Sequence, residues 1–177
     1  MDEKELVLLA KQGDVKAFCA LYDKYKRKLY SYAYFKLNNQ QDAEDAVQDC
    51  ALTAFEEISK LKNPDAFSAW IFRILYCACA AAIKRQIRRR ETDDIDNYRN
   101  IAAADDSNII LRTDLKNAME KLSDEEKNIV LLSVVAGLQS KEIAKITGFT
   151  AGNVRQKLSR SLAKMKNNLV QKEGAYV

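Results

Sequence analysis

No histidine occurs anywhere in this 177-residue chain, which removes the commonest general base and metal ligand at neutral pH. One proline and five glycines leave little punctuation for hairpins and β-turns, so composition favours helices. The four cysteines, at 19, 50, 77 and 79, offer one Cys-x-Cys and two scattered thiols, a poor ligand set for zinc. Cys77 and Cys79 sit two residues apart in an apolar helical run and so face different ways, as small apolar residues of a reduced compartment would. There is no glycine-rich phosphate loop, since neither Gly148 nor Gly152 is followed by Lys-Ser/Thr. No uninterrupted apolar run approaches the ~20 residues of a membrane span. The start, Met-Asp-Glu-Lys-Glu, lacks the basic and apolar regions of a secretory signal. These absences argue against an enzyme, a metal, a cofactor or a small-molecule substrate, and for a cytoplasmic protein.

What the chain does contain is helical periodicity and a charge modest in sum, +4, but uneven in place. Apolar residues recur at three- and four-residue spacing over about 3–12 (Leu6, Leu8, Leu9), about 14–37 (Phe18, Leu21, Tyr22, Tyr25, Leu29, Tyr32, Ala33) and about 41–60 (Ala43, Ala46, Val47, Ala51, Ala54, Phe55, Ile58). Gly13-Asp14 and Asn38-Asn39 separate these segments. Asn63 caps a fourth helix with Pro64 in its first position, where no amide hydrogen is required. That helix carries Phe67, Trp70, Ile71, Ile74, Ala78, Ala81 and Ile83 before dissolving into charge. Between Glu91 and about Asn108, six acids and one base with few large apolar groups cannot bury enough surface to fix the chain. The expected architecture is all-α: helical domains at 1–91 and 112–172, joined by a flexible acidic linker at 92–111.

The second domain is read mainly from its caps. Leu115, Ala118, Met119 and Leu122 mark one helix. Ser123-Asp-Glu-Glu126 is a capping box that opens the next, with Ile129, Val130, Leu132, Val134 and Val135 before Gly137. Ser140 is expected to cap a third helix and Gly148 to end it; Thr150 then caps the last, which runs to about Leu169. At about 100° per residue, Val154, Leu158, Leu162 and Met165 form one ~80° seam. Opposite stand Asn153, Gln156, Arg160 and Ala163, flanked by Arg155, Lys157 and Lys164. Between Ile143 and Lys172 there are seven Lys/Arg and no acid. A solvated basic face on an ordinary three-helix bundle would account for the charge. It does not account for the cap–helix–glycine–turn–cap–helix order, which is that of a helix-turn-helix with its second helix in the major groove. There Arg and Gln can contact base edges bidentately, while Lys and the flanking Arg hold phosphates.

The first ninety residues add Leu21-Tyr22-Asp-Lys-Tyr25, Leu29-Tyr30-Ser-Tyr32-Ala33, Gln41-Asp42-Ala43-Glu44-Asp45-Ala46-Val47-Gln48-Asp49, Ala69-Trp70-Ile71-Phe72-Arg73-Ile74 and the basic Lys84-Arg85-Gln-Ile-Arg88-Arg89-Arg90. In this order, with a helix-turn-helix after a linker, the chain closely resembles the extracytoplasmic-function (ECF) group of bacterial sigma-70-family sigma factors. The resemblance covers nearly everything outside the linker and tails. It implies a role: binding core RNA polymerase through its β′ coiled coil and β subunit, recognising a promoter and opening it. It implies polymerase docking by Asp42, Asp45, Gln48 and Asp49. The acids lie at i, i+3, i+7, and such a stripe suits a basic partner, although a first-turn acid is also favoured by the helix dipole alone.

The resemblance further implies that the loop at about Leu61–Ala66 captures a flipped base of the minus-ten element, with Lys60, Lys62, Asn63, Arg73, Lys84, Arg85 and Arg88 as strand contacts. Extruding a base costs a few kcal/mol, which such contacts must recover. Asn153, Arg155, Gln156, Lys157, Arg160 and Lys164 are implied to read the minus-thirty-five element. An anti-sigma factor, often membrane-anchored in this group, is the further expected partner. Cys77 and Ala81 stand where the family commonly has Asn and Asp, and Ala46 and Cys50 where Leu and Thr are commoner. Trp70 lies in the apolar stripe and is expected in the core rather than as a stacking platform. The rival reading is a conventional helix-turn-helix regulator with an N-terminal dimerisation bundle.

Overall fold

A computed structural model describes residues 1–92 and 114–173, the side chains of 90–92 and 171–173 aside. The chain divides into two compact units, Met1–Tyr98 and Arg99–Val177. The linker expected at 92–111 falls, Thr92 excepted, outside the described residues.

Caps set the element boundaries of the first unit. Helix α1 (Glu3–Lys11) opens with a capping box in which Glu5 accepts from the Asp2 N–H at 3.0 Å. After Gly13, the Asp14 carboxylate accepts from the amides of Lys16 and Ala17 at 2.8 and 3.1 Å and starts α2 (Val15–Leu37). Asn38 ends α2 in the left-handed region, φ 54°, which asparagine tolerates better than most residues. Asn39 then accepts from the Asp42 amide at 2.9 Å and caps α3 (Gln40–Glu57). Two 3-10 turns, Ile58–Lys60 and Pro64–Ala66, lead into α4 (Phe67–Thr92). Asn63, expected to cap the fourth helix, caps the second 3-10 turn instead, accepting from the Asp65 amide at 3.1 Å with Pro64 in that turn's first place, and α4 proper starts at Phe67.

Helix α3 packs against both α2 and α4. Its inner face is Ala43, Ala46, Cys50 and Ala54, all fully buried. Small side chains there let larger neighbours interdigitate: Leu21, Leu29 and Tyr32 from α2, and Phe67, Ile71, Phe72 and Leu75 from α4. Three expectations shift. In α1 the buried residues are Leu6, Val7 and Ala10, and Leu8 is 44% exposed. Phe55 is not inward but 44% exposed, its ring edge-on to Phe18 at 5.1 Å. In α4 the buried face is Phe67, Ile71, Phe72, Leu75, Cys79 and Ala82; Trp70, Ile74, Ala78 and Ile83 are half-buried and Ala81 is exposed. A helix apolar on most sides gives periodicity little to phase. By length and composition Pro64–Arg89 would even suffice to cross a membrane, a property hidden from a search for uninterrupted runs by Arg73. Its apolar face is instead the floor of this unit's core.

The second unit begins, among described residues, with a helix over 114–120, α5. The Ser123–Glu126 box opens α6 (Asp124–Val130), which runs on as one wider π turn, Leu131–Val135. That turn shifts the phase, so Leu131 and Leu132 are buried while Val134, expected inside, is 65% exposed. Helix α7 (Ser140–Thr147) is capped one residue earlier than expected: Gln139 is the N-cap, and Glu142 accepts from its N–H at 2.8 Å. Gly148 ends it at φ 80°, where any side chain would be strained. Thr150 Oγ1 accepts from the Asn153 amide at 3.2 Å at the head of α8 (Ala151–Glu173). The α8 seam is Val154, Leu158, Ser161 and Met165; Leu162 is 42% exposed. The 4-3-4 spacing brings Ser161 nearer the seam's centre than Leu162. Its hydroxyl is satisfied by donating to the Lys157 carbonyl at 2.7 Å.

Candidate nucleic-acid interface

Helix α8 sorts its polar residues by what else they touch. Asn153, Arg155, Gln156 and Arg160 are exposed. Lys157 turns back, its ammonium 2.9 Å from the Glu125 carboxylate of α6 and 5.0 Å over the Phe149 ring. Lys164 does likewise, 2.6 Å from Glu126. Glu126 also accepts from the Ser123 N–H through its other oxygen, at 2.9 Å. The Lys164 ammonium, helped by that backbone bond, holds the Glu126 carboxyl below its usual range. Of the six residues expected to read DNA, four thus stand open at the front of the helix. The two lysines clamp α8 to α6.

In the first unit, Lys62, Asn63, Arg73, Lys84, Arg85 and Arg88 are all exposed, while Lys60 pairs with Glu57 one turn back at 3.1 Å. Arg73, Lys84 and Arg88 fall within about 60° of one another around α4, and the exposed Cys77 lies between them on that stripe. The side-chain oxygen of Asn63 already serves as the cap described above. Trp70 is half-buried with its ring tilted against Phe67 at 5.8 Å, so it is neither wholly core nor wholly free. Cys50 and Cys79 are different in kind from Cys77: burial pushes both thiols up to about 12.

The acidic face of α3 does not stand alone. Asp45, Gln48 and Asp49 are exposed and Asp42 is half-buried. The basic end of α4 lies along them: Arg85 is 3.7 Å from Asp49, and the Gln86 side-chain amide donates to Asp42. With Arg89 these residues line a groove of about 280 Å³. Arg85, expected to hold a DNA strand, therefore meets Asp49, expected to hold the polymerase. Gln86 and Arg89 were not singled out from the sequence. Their spacing from Arg85 (i, i+1, i+4) puts the three on one side of α4, a signal that pairing with the i, i+3, i+7 acids of α3 could have used. Beside this groove a larger one, about 470 Å³, runs between α2 and α3 past Tyr22, Lys26, Tyr30, Val47, Gln48 and Ala51.

Comparison with known families decides what carries these surfaces. Residues 21–91 match the Sigma-70 region 2 family and residues 112–165 match Sigma-70, region 4. This chain belongs to the ECF group of the sigma-70 family. Among its relatives, RNA polymerase sigma factor SigV of Bacillus subtilis is 28% identical over 84% of this chain and 89% of its own length. The ECF RNA polymerase sigma-E factor of Escherichia coli is 25% identical over 96% and 95%. Two solved structures share the fold. CnrH, solved in complex with the cytosolic domain of CnrY, matches with TM-score 0.72 and 22% identity over 96% of this chain and 97% of that one. RpoE, solved with the anti-sigma factor NepR from Bartonella quintana, matches with TM-score 0.70 and 21% identity over 88% and 98%. The sigma factor accordingly works with core RNA polymerase in promoter-specific initiation, and the dimerising-regulator reading is set aside because both halves match sigma regions. Its relatives are transcription initiation factors rather than enzymes.

Proposed function

We propose that the region 4 domain (112–172) reads the minus-thirty-five duplex with Asn153, Arg155, Gln156 and Arg160 at the head of α8, Lys157 and Lys164 serving mainly to set its angle. The observation that carries this is the division of labour on α8: four open polar groups beside two lysines already bound to acids of α6. Region 2 (1–91) takes the minus-ten element. Lys62 and Asn63 of the loop meet an extruded base, Arg73, Lys84 and Arg88 hold the strand, and Lys60 and Arg85 join once released from Glu57 and Asp49. The α3 face of Asp42, Asp45, Gln48 and Asp49 docks core polymerase, with the acidic 92–111 segment as linker. An anti-sigma factor is a partner of the kind seen with the RpoE relative, and the working compartment is the cytoplasm. No step requires a cofactor, because the polymerase supplies the chemistry.

Run-off transcription from purified core polymerase, with transcripts sequenced from an enriched promoter pool, tests this reading. Transcripts sharing one two-part promoter are expected. Their absence from every enriched promoter would remove the proposal.

A further inference from the structure

Among the described residues, two polar contacts from distant sequence reach the loop at Leu61–Ala66, one at each end, and both come from α1. The Lys11 ammonium donates to the Leu61 carbonyl at 2.5 Å, and the Lys4 ammonium lies 3.1 Å from the Asp65 carboxylate. Lys4 and Lys11 are seven residues apart, so they share a face of α1 two turns apart, about 10 Å. That helix is itself fixed: Leu6, Val7 and Ala10 are buried, and Glu3 accepts from the Tyr25 hydroxyl of α2 at 2.8 Å. The Tyr25 ring in turn stands edge-on to Phe67 at 5.4 Å, the first residue of α4 after the loop. Leu61 is held three ways, by its buried side chain, by its N–H on the Ile58 carbonyl at 3.1 Å and by Lys11 on its own carbonyl. Between the two anchors, Lys62 and Asn63 are left exposed.

We propose that α1 splints the minus-ten loop and that Lys11 is a positioning residue for base capture, fixing where Lys62 and Asn63 meet the extruded base. The proposal rests on the reading above that this loop takes that base. A loop already ordered loses little freedom on binding. The Lys11 bond is the stronger of the two because it is charge-assisted and partly sheltered, whereas the Lys4–Asp65 pair is exposed at both partners and contributes little. Lys11 touches no DNA in this scheme and acts through the loop.

The test uses the full chain, free and in holoenzyme, as Lys11→Met and Lys11→Arg. In the free protein, amide exchange at Leu61 and Ala66 should quicken about tenfold in Lys11→Met, the factor one charge-assisted hydrogen bond is worth, with α2 and α3 amides unchanged. In holoenzyme, promoter opening followed by 2-aminopurine in the minus-ten element should fall about tenfold by the same bond. Discrimination against substituted minus-ten bases should narrow, while co-purification with core and minus-thirty-five duplex binding persist. Lys11→Arg should restore both. Unchanged exchange and opening in Lys11→Met would overturn the splint. So would a parallel loss of core binding and thermal stability, which would make Lys11 a fold residue only. If Lys62→Ala and Asn63→Ala also open the promoter normally, the assignment of the loop to the minus-ten base falls first and takes the splint's purpose with it. If they fail while Lys11→Met does not, only the splint is lost.

Discussion

Arg160 and Lys164 lie about one turn apart on α8 and carry the same charge, yet among the described residues only Lys164 has an acid within reach. Equal charges on one helix therefore make unequal predictions. Arg160→Ala should cost roughly 1–3 kcal/mol on the preferred minus-thirty-five duplex and relax selection at one base position. Arg155→Ala, flanking the reading face, should lower the log–log salt slope by about one phosphate contact. Lys164→Met should leave that slope unaltered. Anisotropy titrations against salt measure all three, and a full unit lost in Lys164→Met would return that lysine to the phosphates. Tyr32 poses a question of stability instead. It is fully buried with its ring against Phe72 at 6.0 Å, its hydroxyl has no hydrogen-bond partner among the described residues, and burial drives the phenol well above its usual range. Removing an unsatisfied hydroxyl relieves desolvation, so Tyr32→Phe should raise stability by about 1 kcal/mol in denaturant titration. A lower midpoint would show that the hydroxyl finds a partner in solution.

At the scale of elements, ends were more legible than faces. Asp14, Asn63, Ser123, Gly148 and Thr150 mark boundaries because each satisfies or frees backbone groups locally, without tertiary help. Faces depend on what packs against them. Periodicity misphased α4, where apolar residues occur nearly all round, and it gave Leu162 the place that Ser161 takes in α8. Ser140 failed as a cap because Gln139 precedes it with Glu142 in position to reach back. The two glycines near the turn should respond oppositely to alanine. Gly148→Ala, at φ 80°, should cost about 1–2 kcal/mol. Gly152→Ala should gain up to about 1 kcal/mol, since an added Cβ meets only Thr150 Oγ1 at 4.0 Å. Thermal melting of the pair decides, and a shared sign would refute the argument from backbone conformation. The α6–α8 clamp adds a pH dependence. Glu126 has its folded pKa depressed below 4.5, chiefly by Lys164. Its contribution to stability is therefore complete above about 4.5 and is lost as pH falls through the lower folded value. Glu126→Gln should remove that acid-side loss, and an unchanged acid transition would discount the clamp.

For the whole molecule, the two-unit, all-helical plan was legible because its signals repeat: caps, glycine stops and an acidic stretch between two periodic ones. What the sequence hid was proximity between distant residues. Nothing local to Asp49 announces Arg85, and nothing near Leu61 announces Lys11, because those pairings exist only once α1, α3 and α4 have packed. The acidic face of α3 offers the test at this scale. Asp45→Arg changes an exposed side chain whose own bond is to Gln41 at 3.1 Å, so both units should fold and melt as before. Co-purification with core polymerase should nevertheless drop by tenfold or more, as like charges placed against a basic partner cost several kcal/mol. Undiminished recovery of the complex would move the docking site elsewhere.

Trp70 has one more property that follows from its place. It is the chain's single tryptophan, so the indole emission of the entire protein originates one short turn beyond the loop, from a ring half in solvent and half on Phe67. On the proposed reading, a base settling into that loop should change the colour or the yield of the light. If the loop takes the minus-ten base as proposed, the protein carries its own optical probe of strand opening, with no dye attached and no residue replaced.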